Sequence, residues 1–194
     1  MTAKIWIVGE GNNELGRYDR SGNRQRGVLE ALLARVCESG WRCAGKTEWN
    51  HIQKFRAGGA RMDRVSHGDY LNVLGLVLAA YEEASDAVAF SRDVDSDPER
   101  EAAVAAALAW IRDQSEWQIE VIGGVAKPAI EGWILALRGV PNTDAMSRRR
   151  TKAHLAEQDV DLKSTDHYVH AVEDAVLGEP PQFGLPAGAE SLRA

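Results

Sequence analysis

Cysteine is scarce in this sequence, and so are long runs of apolar residues. The two cysteines, Cys37 and Cys43, form no Cys-x-x-Cys pair and have no accompanying paired-histidine motif. This spacing argues against a structural zinc site and against a framework of disulfides. No apolar run approaches the roughly 18 residues that a membrane span needs, and the first residues lack the apolar stretch of a signal peptide. We therefore expect a soluble, cytoplasmic protein that does not associate with membranes.

Positive charge is in deficit overall, yet it is concentrated in one part of the chain. The formal net charge of −6 over 194 residues on its own disfavours a nucleic-acid-binding protein. Between Arg17 and Arg64, however, eleven basic residues accompany five acidic ones, an excess of six positive charges. A basic surface beside an acidic pocket suits an enzyme that binds a polyanion and holds metal ions. The alternative is that these charges are scattered over a solvated surface.

The spacing of apolar residues predicts alternating strands and helices. Strands are predicted at 4–9, 41–52, 87–91 and 117–122, the last of them ended by Gly123 and Gly124. Helices are predicted at 25–39, at 69–84 and from Pro98 to about residue 113. The polar segments 11–24 and 53–67 are predicted loops, 128–177 is predicted to be helical, and 179–194 is a tail. This order predicts an α/β fold with a largely parallel sheet of about four strands flanked by helices.

Acidic residues follow the first and the third predicted strands. Glu10 lies at the end of the first strand, and Glu14 comes four residues later. Asp93 and Asp95 follow the third strand and point the same way if the chain is extended. Ligands bind at the carboxyl ends of strands in parallel sheets, and two carboxylates this close repel each other unless a cation lies between them. These residues are therefore candidate ligands of Mg²⁺, which takes carboxylate oxygens and water.

Two further acids are weaker candidates for the same site. Glu131 lies in the first turn of a helix that begins at Pro128, where an acid ordinarily interacts with the helix dipole. Asp97 is also a candidate metal ligand, and the competing interpretation is that it caps the helix beginning at Pro98.

Two familiar motifs, one of glycines and one of acidic residues, offer alternatives to this interpretation. Gly9-x-Gly11 follows a strand as in dinucleotide-binding proteins, but the third glycine is replaced by Glu14, which would repel a pyrophosphate. An EF-hand beginning at the acidic turn would place Pro98 at its glycine position and Val104 at its closing glutamate position. The sequence therefore favours neither motif.

Taken together, the acidic segments resemble the TOPRIM-like families. These comprise the nuclease domain of the overcoming-lysogenization-defect ATPases and small stand-alone relatives among bacterial phage-defence genes. Their pattern is a strand ending in Glu-Gly-x-Thr/Asn-Glu, an Asp-x-Asp after a later strand, and a Glu-x-Trp that opens a helix. The same pattern appears here, in the same order, as Glu10-Gly11-Asn12-Asn13-Glu14, Asp93-Val94-Asp95 and Glu131-Gly132-Trp133. The sequence departs from it at Gly9, where a bulkier residue is expected, and at Asn13, where many relatives carry threonine.

The resemblance implies a domain organisation and a metal-dependent mechanism. A TOPRIM-like catalytic domain would span 1–140, and 141–194 would form a helical extension and tail packed on the same domain. Glu10, Asp93 and Asp95 would hold one Mg²⁺ or Mn²⁺, while Glu14 and Glu131 would help to hold a second ion or orient water. Two such ions activate the attacking water and stabilise the leaving oxygen in phosphodiester hydrolysis. Lys127 or Arg92 would neutralise charge on the phosphate.

The resemblance also implies a function and partners. The leading hypothesis is a Mg²⁺- or Mn²⁺-dependent nuclease acting on nucleic acid, DNA rather than RNA, in bacterial phage defence. An ATPase or another defence protein would be its partner, and a homodimer is compatible with the pattern. The alternatives are a non-catalytic subunit that keeps the fold, and a metal-dependent phosphotransfer enzyme on a small substrate. The candidate phosphate contacts are Arg17, Arg20, Arg24, Arg26, Lys54, Arg56, Arg61, Arg64 and Arg92.

A second basic cluster and the histidines are the remaining candidates for contacts with phosphate or metal. The cluster consists of Arg148, Arg149, Arg150 and Lys152, and the favoured interpretation is a solvated helix start rather than a phosphate contact. Of the five histidines, only His167 and His170 have a spacing compatible with a shared metal, and both are expected at the surface.

Overall fold

The computed structural model describes residues 2–18, 23–37, 40–54, 68–94, 97–114 and 118–175. Several predicted features lie outside these residues, namely Asp95, Arg20, Arg56, Arg61, Arg64, most of the loop at 53–67 and the tail at 179–194.

Four parallel strands form one sheet at the centre of the molecule. They are β1 (Ala3–Gly9), β2 (Trp41–Glu48), β3 (Ala87–Asp93) and β4 (Glu120–Ala126). Their order across the sheet is β2-β1-β3-β4, and each neighbouring pair is parallel. The predicted α/β class with a four-stranded parallel sheet flanked by helices is therefore confirmed.

In the part of the chain that the structure describes, seven helices accompany the sheet. They are α1 (Asn12–Leu15), α2 (Val28–Val36), α3 (Gly68–Glu82), α4 (Glu99–Asp113), α5 (Ile130–Leu137), α6 (Arg148–Glu157) and α7 (Thr165–Glu173). Short 3-10 turns at Trp49–His51 and Thr143–Ala145 accompany them. Within the described residues, none of the helices combines the length and the hydropathy that crossing a lipid bilayer requires.

The alternation of side chains along the strands divides the core into two apolar layers. Ile5 and Ile7 of β1 lie in a layer with buried residues of α2, α5, α6 and α7. Val8 of β1 and Phe90 of β3 lie in the opposite layer with buried residues of α3 and α4. The sheet is thus covered by helices on both faces, as parallel sheets usually are.

Several predicted element boundaries are wrong. A one-turn helix, α1, lies inside the segment predicted as a loop, and β2 ends at Glu48 rather than at residue 52. The fourth strand begins at Glu120, later than predicted. It also ends later, at Ala126, because Gly123 and Gly124 lie inside it instead of ending it. At Gly123, where φ is +123°, a Cβ atom would lie 1.9 Å from the carbonyl oxygen of Phe90. Glycine permits this close strand pairing, whereas two glycines after Ile122 predict a strand end. In the segment predicted to be helical, the described residues 128–175 contain the helices α5, α6 and α7 joined by turns.

Candidate functional site

Four of the predicted metal ligands line one open pocket at the carboxyl end of the sheet. Glu10 follows β1, Glu14 lies in α1, Asp93 ends β3, and Glu131 lies in the first turn of α5. The pocket has a volume of about 360 Å³. Parallel strands bring their carboxyl ends to one edge, so acids far apart in sequence meet there.

Glu14 is buried beneath the end of β1. Its Oε2 accepts hydrogen bonds from the backbone N–H groups of Glu10 and Gly11, the latter at 3.2 Å. A Cβ atom at Gly9 would lie 2.8 Å from both Cβ and Oε2 of Glu14. In this chain, glycine at position 9 therefore leaves room for the carboxylate of Glu14, which a larger residue would displace. Burial, reinforced by repulsion from Asp93, raises the pKa of Glu14 to about 8, against the opposing effect of the backbone hydrogen bonds.

Asp93 joins the end of β3 to the helices that follow. Its Oδ1 accepts a hydrogen bond of 2.9 Å from the backbone N–H of Ile130, the first residue of α5. Its Oδ2 lies 3.3 Å from Nη2 of Arg148. Burial, together with the charges of Glu10 and Glu131, raises the pKa of Asp93 to about 7, while Arg148 and the Ile130 N–H oppose that rise.

Glu10 contacts Asp93 directly and Asp69 through an arginine. Its Oε1 accepts a 3.0 Å hydrogen bond from the backbone N–H of Asp93 and pairs with Nη1 of Arg92. The Arg92 Nε atom lies 3.2 Å from Oδ1 of Asp69, and its guanidinium carbon lies 5.3 Å from the centre of the Trp49 ring. Arg92, a predicted phosphate contact, is therefore engaged with carboxylates and an aromatic ring.

A buried aspartate, Asp69, supports the strand end that carries Asp93. The carboxylate accepts a 2.9 Å hydrogen bond from Nε1 of Trp49, and Nε of Arg100 lies 2.8 Å from its other oxygen. Arg100 in turn donates to the main-chain carbonyl oxygens of Asp93 and Val94, the second at 3.2 Å. The sequence predicts Asp69 only as a helix residue, because no local pattern distinguishes it from an ordinary acid in a first turn.

Glu131 has one carboxylate oxygen engaged and one without a partner. Its Oε1 accepts a 3.0 Å hydrogen bond from the hydroxyl of Tyr168 and lies 3.6 Å from Nζ of Lys152. Among the described residues, nothing forms a hydrogen bond with its buried Oε2. A buried carboxylate oxygen without a partner is costly, and an additional donor or a cation would remove that cost. Burial and the neighbouring Glu131 also raise the pKa of Tyr168.

Three residues of this pocket were missed in the sequence. Arg148 and Lys152 line it, although their cluster was interpreted as a solvated helix start, and Tyr168 was not singled out at all. One signal was available, because Arg148 and Lys152 are four residues apart and therefore lie on the same face of α6. Nothing in the sequence shows that this face, and that of Tyr168, meet the ends of β1 and β3.

Two predicted site residues lie elsewhere. Lys127 is not among the residues that line the pocket, and its Nζ lies 2.5 Å from Oε1 of Glu101. Asp97 is also outside the lining, and its Oδ1 accepts a 3.1 Å hydrogen bond from the backbone N–H of Glu99, where α4 begins. Asp97 therefore caps the helix, which is the competing interpretation that the sequence left open.

The described basic candidates divide between a groove and other surfaces. Arg17 and Arg24 line a groove of about 530 Å³ that shares Asn12 with the acidic pocket. Arg26 pairs with Glu173 of α7 at 3.0 Å, outside that groove. Lys54 is exposed and is also not part of the groove lining, and His167 and His170 are exposed as expected.

The donor atoms in the pocket fit a hard divalent cation. Carboxylate oxygens are the ligands that Mg²⁺ and Mn²⁺ prefer, and one of them, Oε2 of Glu131, is a buried acceptor with no partner in the described structure. The raised pKa values of Glu14 and Asp93 reflect burial first and then repulsion from neighbouring carboxylates, and a cation would relieve that repulsion. The side chains are not already gathered as ligands, since no three acids, histidines or cysteines among the described residues form a metal-binding group.

Comparison of the chain with protein-family models, with curated proteins and with solved structures gave no match.

Proposed function

We propose that this chain is a divalent-metal-dependent hydrolase of phosphodiester bonds in nucleic acid. The observation that carries the proposal is the convergence of Glu10, Glu14, Asp93 and Glu131 on one open pocket that also contains Arg148 and Lys152. Carboxylates that bind metal beside cations that bind phosphate are the two components that such hydrolysis needs. The biological setting of this proposal is the one that the resemblance to TOPRIM-like nucleases implies. It consists of a role in phage defence and a partner ATPase.

Each side chain has a role that its position supports. Glu10, Asp93 and Glu131 would hold Mg²⁺ or Mn²⁺, with Asp95, two residues after Asp93 in the sequence, as a further proposed ligand. A bound ion would supply an activated water and stabilise the charge of the leaving oxygen. Glu14, whose Oε2 is already held by two backbone N–H groups, would fix the turn that carries Glu10 and accept a proton from water.

Arg148 and Lys152 would change partners when metal and substrate bind. Their side chains now lie 3.3 Å from Asp93 and 3.6 Å from Glu131, and they are 46% and 39% exposed. Long, partly exposed side chains of this kind reorient at little cost. If Asp93 and Glu131 held a cation, the guanidinium of Arg148 and the ammonium of Lys152 would turn from these carboxylates to contact a phosphate.

The test combines metal binding with cleavage in matched variants. Calorimetric titration of Mg²⁺ and Mn²⁺ into the wild type should show binding that is lost in Asp93→Asn and Glu10→Gln. Cleavage of labelled single-stranded and duplex DNA and RNA should require the metal and disappear in the same variants. Asp97→Asn is the matched control, since Asp97 lies four residues from Asp93 but outside the pocket lining. Cleavage without metal, or full cleavage in both pocket variants, would refute the proposal.

A second candidate, a non-catalytic subunit that retains the fold, has one observation in its favour. Arg148 and Lys152 partly neutralise the pocket in the absence of a metal, as a structural ion-pair cluster would. This candidate predicts that the wild type binds no divalent ion and that Arg148→Gln destabilises the fold. The phosphotransfer alternative is less favoured, because the pocket is open rather than enclosing a small substrate, and a groove with basic lining residues lies beside it and shares Asn12.

A further inference from the structure

A groove next to the acidic pocket has the composition of a site for a nucleic-acid strand. It is bounded by α1 and the segment after it on one side and by β2 on the other, and Asn12 belongs to both cavities. Three of its lining residues carry positive charge, Arg17, Arg24 and Lys46, and one, Glu48, carries negative charge. The groove and the acidic pocket therefore lie side by side, and a strand bound in the groove would lie next to the pocket.

The cations of the groove are held in place by the protein. Arg24 and Lys46 both pair with Glu30, whose side chain is only 7% exposed, and Lys46 also donates to the main-chain oxygen of Leu15. Arg17 donates from Nε to the amide oxygen of Gln25 at 3.1 Å. Side chains held in this way lose less conformational entropy when they bind a phosphate than freely rotating ones do.

Tyr18 gives the groove an aromatic side chain that is exposed to solvent. It lines the groove, yet 72% of the residue is exposed to solvent. Its backbone is tied down, because Tyr18 forms an antiparallel bridge with Arg24 and the N–H of Gln25 donates to the carbonyl oxygen of Arg17 at 2.7 Å. An exposed aromatic ring on a fixed backbone, among cations, is the arrangement on which unpaired bases stack.

We propose that this groove binds an unpaired nucleotide, with its base stacked on Tyr18 and its phosphates near Arg17 and Arg24. The inference rests on the proposed function, because it supplies the strand that the acidic pocket would cut. A base inside a duplex has both faces covered by its neighbours, so stacking on Tyr18 requires a single strand or a frayed end. The chain from Asn12 to Tyr18 spans at most about 15 Å, which is about four nucleotides of a stacked strand.

The experiment measures strand binding without metal, so that it is independent of cleavage. Fluorescence anisotropy in EDTA compares a labelled 12-nucleotide DNA strand, its RNA counterpart and a blunt duplex of the same sequence. The wild type should bind a single strand more tightly than the duplex, and Tyr18→Ala should weaken that binding by about tenfold. Tyr18→Phe, which keeps the ring, should bind like the wild type. Tyr81→Ala is the matched control, since Tyr81 is 63% exposed on α3, outside the groove lining.

A strand of abasic sites separates stacking from charge. Its binding should be equally weak in the wild type and in Tyr18→Ala, because no base remains to stack. Dependence on Tyr18 with either DNA or RNA supports the site, and the tighter of the two identifies the substrate. Unchanged binding in Tyr18→Ala, or an equal loss in Tyr81→Ala, would overturn the inference. Tyr18-dependent binding by a protein that neither binds metal nor cleaves would refute the proposed function but leave this site in place.

Discussion

The carboxylates of Glu14 and Asp93 lie in an environment that disfavours their charged forms. Both are nearly inaccessible to solvent, at 5% and 2% exposure, and they repel each other across the pocket. A pKa raised to about 8 and to about 7 means that the folded chain keeps protons that the unfolded chain has already released by about pH 5. The pocket therefore costs stability when it is ionised and empty of cations, and this cost depends on pH.

We predict that the stability of the folded protein decreases as pH rises. For carboxyl groups whose pKa is higher in the folded state, unfolding free energy falls as pH rises from the unfolded value near 4 to the folded values near 7 and 8. In EDTA, we expect the melting temperature to fall by several degrees between pH 5 and pH 8.5, since about 1 kcal/mol corresponds to about 2–4 °C in a chain of this size. Thermal unfolding followed by circular dichroism measures it.

The quantity to compare between variants is the change of melting temperature with pH, rather than the melting temperature itself. Asp93→Asn removes one titrating group and the main charge acting on Glu14, so its melting temperature should vary less with pH. Asp97→Asn, which lies outside the pocket lining, should keep the wild-type slope. Equal slopes in all three proteins would show that these carboxylates do not control the pH dependence.

At the scale of residues, the sequence predicts acids well and their partners poorly. Acids at strand ends and helix starts follow a local pattern that the sequence shows. The structure brings four such acids together in one pocket, namely Glu10, Glu14, Asp93 and Glu131. The sequence does not identify Asp69 as part of this region, because its importance comes from contacts with arginines and a tryptophan on other elements. Such contacts are set by tertiary packing, which spacing along the chain does not encode.

At the scale of elements, α6 brings positive charge to the acidic pocket. Arg148 and Lys152 lie on one face of the helix, while Arg149 follows on another and does not line the pocket. We expect Arg148→Gln and Lys152→Gln each to lower cleavage by about 100-fold, because each removes a cation that would stabilise the phosphate. Mn²⁺ affinity should be equal or higher, since a competing cation is gone.

Steady-state kinetics and calorimetry on the same samples measure the two effects. Arg149→Gln is the matched control on the same helix turn and should leave both quantities unchanged. Loss of metal affinity in Arg148→Gln would instead assign Arg148 a structural role in holding Asp93.

The helix α7 contacts two residues that line the pocket, Glu131 and Asn13. Tyr168, 1% exposed, donates a hydrogen bond to Glu131, and the Thr165 hydroxyl donates to the Asn13 amide oxygen at 3.1 Å. We expect Tyr168→Phe to lower unfolding free energy by about 1 kcal/mol, the usual loss of a buried hydrogen bond. It should also weaken Mn²⁺ binding, because Glu131 loses the donor that orients it.

Chemical denaturation and Mn²⁺ calorimetry separate these two effects. Tyr81→Phe changes an exposed tyrosine in the same way and should alter neither. If Tyr168→Phe lowers stability but binds Mn²⁺ like the wild type, the hydroxyl stabilises the fold without positioning Glu131.

The boundaries of elements were predicted less well than their order. The alternation of strands and helices was clear from apolar spacing, so the class of fold followed from the sequence. The end of β4 did not, because Gly123 and Gly124 usually interrupt a strand. Here Gly123 allows a close approach to the carbonyl oxygen of Phe90, a requirement that exists only once β3 and β4 are paired.

At the scale of the whole molecule, the helices after residue 140 belong to the same core as the sheet. Leu155 of α6 and Tyr168 and Val172 of α7 are at most 1% exposed, and they share one apolar layer with Ile5 and Ile7 of β1. Burial of each such side chain contributes about 1.5–3 kcal/mol, against a total stability of about 5–15 kcal/mol for a typical domain. Removing both helices would expose one face of that layer and take Arg148, Lys152 and Tyr168 from the pocket.

We therefore expect the fragment 1–140 to lose cooperative folding, even though it contains every segment of the family pattern. The fragment 1–175, which retains every described helix and strand, should unfold in one cooperative transition near the wild-type temperature. Near-ultraviolet circular dichroism and thermal melts on both fragments measure this. A cooperative transition in 1–140 at the wild-type temperature would show that the sheet and its first five helices form an independent unit. In that case α6 and α7 would contribute charge and hydrogen bonds to the pocket without supporting the fold.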